Sequence, residues 1–435
     1  MTLRQQAGRV KRRLQRGVQA TPPPITIDAQ VPLVGPDSVD VRKLLDTYTV
    51  EELAEAADDY YRKNLDGLDY YLAKPVATVD EAPDLLICFA QVLAGVRPIQ
   101  GMRVLDFGAG TGWTSRILTQ LGYEVVVCDV SRTALDVARQ MFERQPVAGT
   151  QPEPSFLHFD GHRFDLEDES IDRIFCIDAF HHIPNPAQVL AEMGRVLKQG
   201  GVAGFQEPGP NHSKMAQSQF EMKQFTVIEN DIIMADIERW SRSGGFTDLK
   251  LAVFSSDPFH TSITGYNDFL AGGITKTHHH EHLRQFVAER RIYFLSKGDR
   301  AQADSRERRG LHATLAVQLD APAGVAGAQI TGTATASNTG TTHWLPSKAA
   351  LGPVLLGVHL LDGDGLYLDR DYARLELPHE SGHGTPPGAT VSFAIDVPLP
   401  AEPGEYRLEF DLVAEHVAWF ELNGVPTITI PVLVT

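Results

Sequence analysis

Residues Val104 to Gly112 read V-L-D-F-G-A-G-T-G, and no other stretch restricts what this chain can fold into as tightly. A short apolar run from Met102 to Leu105 breaks into Gly108, Gly110 and Gly112, and a helical pattern follows from Trp113 to Leu121. Glycine tolerates left-handed backbone and lets the chain approach a ligand closely. Strand, glycine loop and helix make up the ligand-binding corner of a doubly wound α/β sheet, where ligands lie beyond the carboxyl ends of the strands. The dinucleotide fingerprint G-x-G-x-x-G is not met, because counting from Gly108 puts Trp113 where the third glycine belongs.

Counted from Asp106, the loop is D-x-G-x-G-x-G, which resembles the first motif of class I S-adenosylmethionine-dependent methyltransferases. A second apolar run, Glu124 to Cys128, ends at Asp129, about twenty residues past the glycines, where a carboxylate can accept both ribose hydroxyls. Its context V-V-V-C-D-V-S resembles the second motif, although Asp129 can also be read as part of the cap of the helix that starts near Ser131. Ser155 to Phe159 leads into Asp160-Gly161. The run S-I-D-R-I-F-C-I-D-A-F-H-H-I-P-N-P from Ser170 to Pro186, followed by a helix over Ala187 to Leu197 and by K-Q-G-G, closely resembles the members with paired histidines after strand four. The resemblance implies a Rossmann-like, seven-stranded methyltransferase sheet with S-adenosyl-L-methionine as cofactor. It implies that Asp106 holds the cofactor's amino group, usually through water, and that Phe107, Gly108, Ala109, Gly110, Gly112 and Trp113 wrap the methionine portion. Asp129 and Val130 then meet the ribose, Asp160 and Gly161 the adenine, and Asp178 completes the set.

Ahead of this core, T-V-E-E-L-A-E-A-A-D-D-Y-Y turns helical, with Thr49 and Glu52 at capping-box spacing. Asp69 to Pro75 reads as a loop and Leu85 to Val96 as a helix. The family often closes such a segment over the cofactor, so residues 41–100 are expected to form a lid over a core of 101–300. Tyr60, Tyr61, Tyr71 and Lys74 are lid residues on this reading, Tyr71 and Lys74 facing substrate; aromatic packing is the alternative. Strand five, Val202 to Gln206, delivers Glu207 and His212 to the edge where substrate lies. Met215 to Trp240 exceeds what the minimal fold needs and is expected to cap the substrate. In it, Glu229 and Asp231 suit a hydroxyl-rich substrate or a metal, or simply an acidic helix start. Methyl transfer to a hydroxyl is helped by a general base, and His181, His182, Glu207 and His212 are the candidates. Phe246 to Phe254 and Arg290 to Lys297 read as late strands. His278 and His282 are one helical turn apart, but the run lacks H-E-x-x-H and a third ligand nearby. No metal ligands are assigned.

At 435 residues the chain has room for a second domain. After a charged linker at 301–310, seven alternating runs between Leu311 and Val434 are separated by Gly, Pro and Asp turns, the pattern of an immunoglobulin-like β-sandwich. P-G-E-Y-R-L-E-F-D-L-V-A-E-H-V-A-W-F resembles accessory sandwich domains of bacterial polysaccharide-synthesis proteins, with Trp344 and Trp419 as aromatic candidates for sugar contact, one of the two being expected in the core because a buried Trp is common in such sandwiches. The fusion suggests O-methylation of a sugar of a bacterial surface glycan or its lipid-linked precursor. Alternatives are a small-molecule or nucleotide-sugar acceptor with the sandwich as homodimer interface, and a non-catalytic glycan-binding adaptor. Residues 1–40 begin with a basic stretch, Leu3 to Val18, whose apolar residues share one helical face; it reads as a tail, or as a contact for a glycosyltransferase or the inner face of a membrane. The net charge of −17 argues against nucleic acid as a partner. Three dispersed cysteines and no leader-like apolar run suggest a cytoplasmic protein.

Overall fold

The computed structural model describes residues 38–99, 101–298, 304–378 and 384–435. The basic stretch at Leu3 to Val18 lies outside the described residues. The glycine loop sits in a seven-stranded sheet of order β3-β2-β1-β4-β5-β7-β6. Its strands are β1 (Arg103–Phe107), β2 (Glu124–Asp129), β3 (Ser155–His158), β4 (Ile171–Ile177), β5 (Leu197–Pro208), β6 (Phe246–Leu251) and β7 (Arg290–Lys297). The first five are parallel, and β7 runs antiparallel between β5 and β6. Central parallel strands are covered on both faces, so they need continuous apolar runs rather than alternation. Accordingly, Val125 to Cys128 of β2 and Ile174 to Cys176 of β4 are all buried. The order in which successive strands are added reverses between β1 and β4, and this switch point opens a crevice at the strands' carboxyl ends.

The N-terminal helices pack on that end. Helix Val50–Lys63 is started by the expected capping box: Thr49 Oγ1 accepts from Glu52 N, and Glu52 Oε2 accepts from Thr49 N. The expected loop at Asp69 to Pro75 is instead a short helix, Leu68–Ala73, because Leu72 is drawn into the apolar cluster beneath helix Ala82–Val96. Strand β5 is longer than its apolar run suggests, since β7 pairs with it from Val202 through Pro208.

The C-terminal region is β-rich. Strands Thr390–Pro398, Gln329–Asn338 and Ala313–Leu319 form one antiparallel sheet. Tyr367–Glu376, Val354–Asp362, Gly404–Ala414 and Ile428–Val434 form another, with Ala323–Gly324 parallel to Ile428–Val434 at its edge. Side chains from both sheets share one core. Trp344, expected in a loop and, with Trp419, one of two aromatics of which one belongs to the core, is fully buried there and meets Phe420 edge-on. Trp419 lies against His359 with the Arg374 guanidinium 4.5 Å from its ring centre, so its face is already covered. The charged segment expected to be a free linker is docked from residue 304 onward. Arg306 donates to Arg97 O and to Asp304, and Arg97 pairs with Asp304 and Glu307.

Candidate active site at the carboxyl edge of the sheet

Gly108, Gly110 and Gly112 all adopt positive φ, the conformation that the D-x-G-x-G-x-G spacing anticipates. A methyl group added to Gly108 would lie 2.3 Å from Ala179 Cβ, and one on Gly112 would lie 2.8 Å from Ala138 Cβ. The loop is thus pressed between the start of the segment after β4 and the helix after β2. Asp106 is buried and accepts from the hydroxyls of Thr114 and Ser115, both at 2.5 Å. Burial pushes its carboxyl up to about 6 against those two hydrogen bonds. Ala109 N donates to Cys128 O, tying the loop to β2. Phe107 and Trp113, expected at the cofactor, send their side chains into the core, Phe107 between Phe159 and Phe164 and Trp113 against Phe89.

Asp129 closes the other side of the crevice. Its two oxygens accept from Gly110 N and Ser131 N, both at 2.8 Å, and burial raises its pKa. Each oxygen keeps a further lone pair that a hydroxyl can use. The N-cap of the following helix is Ser131 itself, which accepts from Ala134 N. Val130 is half-buried beside it. Asp160 is exposed and accepts from His162 N and Arg163 N, while Gly161 O takes the Asn185 amide. Asp178 accepts from Gln206 and Arg290, and Arg290 bridges on to Asp84. An S-adenosylmethionine molecule fits this set of groups: a glycine loop held in positive φ at the crevice, and a buried carboxylate at the end of β2 with lone pairs for two hydroxyls.

The lid reaches this loop. A methyl on Gly110 would be 2.9 Å from the Tyr61 hydroxyl, and Tyr61 packs on Tyr60 and Tyr71. Asp58, which the sequence reading passed over, fastens the lid by accepting from Ser131 Oγ and Thr133 N, both at 2.8 Å. Its place in D-D-Y-Y one turn before Arg62 is the only sequence signal, and that pattern equally fits a solvated helix face. Lys74 is half-buried near Glu81 and Asp178, and burial lowers its pKa.

Strands β4 and β5 then deliver a second group of side chains. Glu207 is fully buried, and its oxygens accept from Ala179 N, Phe180 N, His181 N and His181 Nδ1, the last at 2.7 Å. Burial pushes it up to about 7. His181 is held neutral by burial and by His182 beside it, ring centres 3.9 Å apart. His182 Nδ1 donates to Ile228 O at 2.6 Å. His212 Nε2 lies 2.6 Å from Glu229 Oε2. Burial opposes ionisation of Glu229, but His182 and the His212 hydrogen bond hold its carboxyl down to about 2. Burial likewise opposes protonation of His182, and Glu229 reverses the balance and raises its pKa. Glu221, missed in the sequence, joins the group with a pKa raised by burial. Asp231 does not: it accepts from Ser213 N and shapes the loop that carries His212. Ala179, whose Cβ faces Gly108, donates its N–H to Glu207, so this cluster adjoins the glycine loop. The histidines on helix Ile274–Glu289 lie elsewhere, His279 between Phe259 and Phe269 and His282 on Asp257 O.

Residues 105–205 match a family described as a methyltransferase domain. Methyltransferase GfsG of Streptomyces halstedii is 38% identical over 105 residues, 23% of this chain and 36% of that protein. Demethylmenaquinone methyltransferases are 35% identical over 106 residues in Clavibacter sepedonicus and 30% over 142 residues in Renibacterium salmoninarum. These matches cover 24% and 32% of this chain, and 41% and 56% of the two relatives. The chain therefore spans between 36% and 56% of the length of these three relatives.

Proposed function

We propose that this chain is an S-adenosylmethionine-dependent methyltransferase that methylates a hydroxyl of a small acceptor bound between the lid and the histidine cluster. The methyltransferase domain at 105–205 and the cradle at Gly108 to Gly112 support the cofactor. The observation that carries the acceptor class is the 2.6 Å pairing of His212 with buried Glu229. A carboxylate that holds one imidazole N–H fixes the tautomer and leaves the other nitrogen as a proton acceptor. In the step, the acceptor O–H proton passes to His212 Nδ1 and the oxygen's electron pair bonds the methyl carbon. The carbon–sulfur bond breaks with its pair left on sulfur. Much of the rate comes from aligning oxygen, methyl and sulfur. Glu207 is saturated by four N–H groups and acts as a positioning residue for His181.

A sugar ring is the narrower form of this acceptor. Its recognition belongs at the histidine cluster, because Trp344 is buried and Trp419 is covered by Arg374. The C-terminal region is read as an immunoglobulin-like sandwich, supported by its two antiparallel sheets and by the parallel pairing of residues 323–324 with the final strand. Among the described residues no helix is long and apolar enough to cross a membrane.

The test is calorimetric titration with S-adenosylmethionine, followed by transfer of labelled methyl to a panel of hydroxylated acceptors. Asp129→Ala is expected to abolish tight cofactor binding. His212→Ala is expected to keep cofactor affinity and lose about 10²- to 10⁴-fold in kcat, the range of a general base. Wild-type protein that binds no cofactor, or label found only on carbon or nitrogen, would refute the proposal.

A further inference from the structure

Beside the His212 pairing, one ring nitrogen each from His181 and His182 and one oxygen of Glu229 lie within 4.8 Å of one another. His181 Nε2 is 4.0 Å from Glu229 Oε2, and His182 Nδ1 is 3.4 Å from Glu229 Oε1. Glu229 is 2% exposed, yet its Oε1 has no hydrogen-bond partner. A buried carboxylate oxygen left without a hydrogen bond is costly unless a cation faces it; protonated His182 meets that need from 3.4 Å, and a metal ion bound by the neutral ring would replace it.

The surroundings of these three residues are those of metal ligands. A ligating histidine almost always gives its other N–H to a carboxylate or a backbone carbonyl, and ligating carboxylates are themselves hydrogen-bonded. His181 Nδ1 is taken by Glu207 Oε2 at 2.7 Å, which leaves Nε2 with its lone pair. His182 Nδ1, the nitrogen that approaches Glu229 Oε1, is taken by Ile228 O at 2.6 Å, so a cation is left Nε2 on the other edge of the ring. Glu229 Oε2 is held by His212, which leaves Oε1. His182 is only half-buried, so the cluster is open on that side.

We propose that His181, His182 and Glu229 bind one divalent transition-metal cation, zinc being favoured by two imidazoles and a carboxylate, with a free coordination position for the acceptor oxygen. Three protein ligands and an open position are the pattern of catalytic rather than structural zinc. A cation there makes a bound hydroxyl more acidic, so its proton leaves more readily to His212 before the methyl carbon is attacked. This role rests on the hydroxyl-acceptor reading above; the binding site itself does not.

The experiment uses the full chain carrying His278→Ala and His280→Ala, because those exposed histidines would bind zinc adventitiously. Protein stripped with a chelator is dialysed against Zn²⁺ and its metal content measured, and Co²⁺ is added to a second sample for visible spectroscopy. One zinc per chain is expected, with cobalt bands of a low-coordinate nitrogen and oxygen site. Glu229→Gln is expected to weaken zinc binding by at least about tenfold. Substoichiometric zinc in the unsubstituted cluster, or equal affinity in Glu229→Gln, overturns the proposal. Calorimetry with S-adenosylmethionine on stripped protein separates the two readings. Cofactor binding and methyl transfer without zinc leave the methyltransferase standing and overturn the catalytic role given to the metal. Zinc at one per chain without cofactor binding does the reverse.

Discussion

Replacing Gly108 by alanine introduces two faults at the hinge of the cofactor loop. The residue has φ +66, where a side chain costs about 1–2 kcal/mol. The new methyl would also stand 2.3 Å from Ala179 Cβ, an atom fixed to the backbone that cannot rotate away. Relief of such an overlap in a packed site costs about 1–3 kcal/mol, so the sum is about 2–5 kcal/mol. Gly101 supplies the control: its φ is +86 and nothing lies within 4 Å of an added methyl. Gly101→Ala should therefore show the conformational cost alone. The small gain from stiffening the unfolded chain is common to both variants and cancels in their difference. Adding Ala179→Gly to Gly108→Ala removes the second methyl and should restore about 1–3 kcal/mol, the overlap part of the loss. The assay is urea denaturation followed by circular dichroism, with S-adenosylmethionine titration on each variant. Because Ala179 N also donates to Glu207, the strained loop should lose cofactor affinity together with stability. If Gly108→Ala and Gly101→Ala agree within about 0.5 kcal/mol, the upper scatter of independent sites, or if Ala179→Gly rescues nothing, the close-packing argument is wrong.

Three further outcomes follow from other parts of the molecule. The folded-state pKa of Asp106 is raised to about 6 from 3.8, so its ionisation works against folding as pH climbs. The stability it allows is full below about pH 4 and is lost as pH rises through about 6, roughly 1–3 kcal/mol. Asp106→Asn keeps an oxygen for the Thr114 and Ser115 hydroxyls and should flatten that decline in denaturation series at pH 4 to 7; an unchanged slope would sink the assignment. Trp344→Ala should cost about 3–5 kcal/mol through the cavity, whereas Trp344→Phe should cost clearly less because the indole Nε1 has no hydrogen-bond partner to lose; thermal denaturation compares them. Arg306→Ala removes the bonds to Arg97 O, Pro98 O and Asp304, and limited proteolysis between the two regions should accelerate several-fold, with no change in rate counting against the docked segment.

The glycine spacing, the acid after the second apolar run and the paired histidines were enough to establish a parallel sheet with a ligand crevice, because local backbone demands are written in adjacent residues. Gly108, Gly110 and Gly112 take positive φ as their spacing requires, and Thr49 caps its helix with Glu52 as read. Periodicity also placed most strands of the C-terminal region within a residue or two. It could not distinguish an exposed aromatic from a buried one, since Trp344 follows the polar run Thr341-Thr342-His343 in sequence and is enclosed only when two sheets close over it. Position in the loop places Phe107 and Trp113 beside the cofactor, and packing turns their side chains into the core, which leaves the backbone of these residues to face the crevice. The histidine cluster shows the division most clearly. His181, His182, Glu207, His212 and Glu229 were each noticed as separate residues of suitable chemistry. That they form one network depends on β4 and β5 being neighbours and on the segment after Phe225 folding back over the sheet edge. Sequence alone determined which chemistries were available and where the cofactor loop bends. Only tertiary structure decided which carboxylate fixes which imidazole, because the partners, 26 residues apart for His181 and Glu207 and 17 for His212 and Glu229, are chosen by packing and not by spacing.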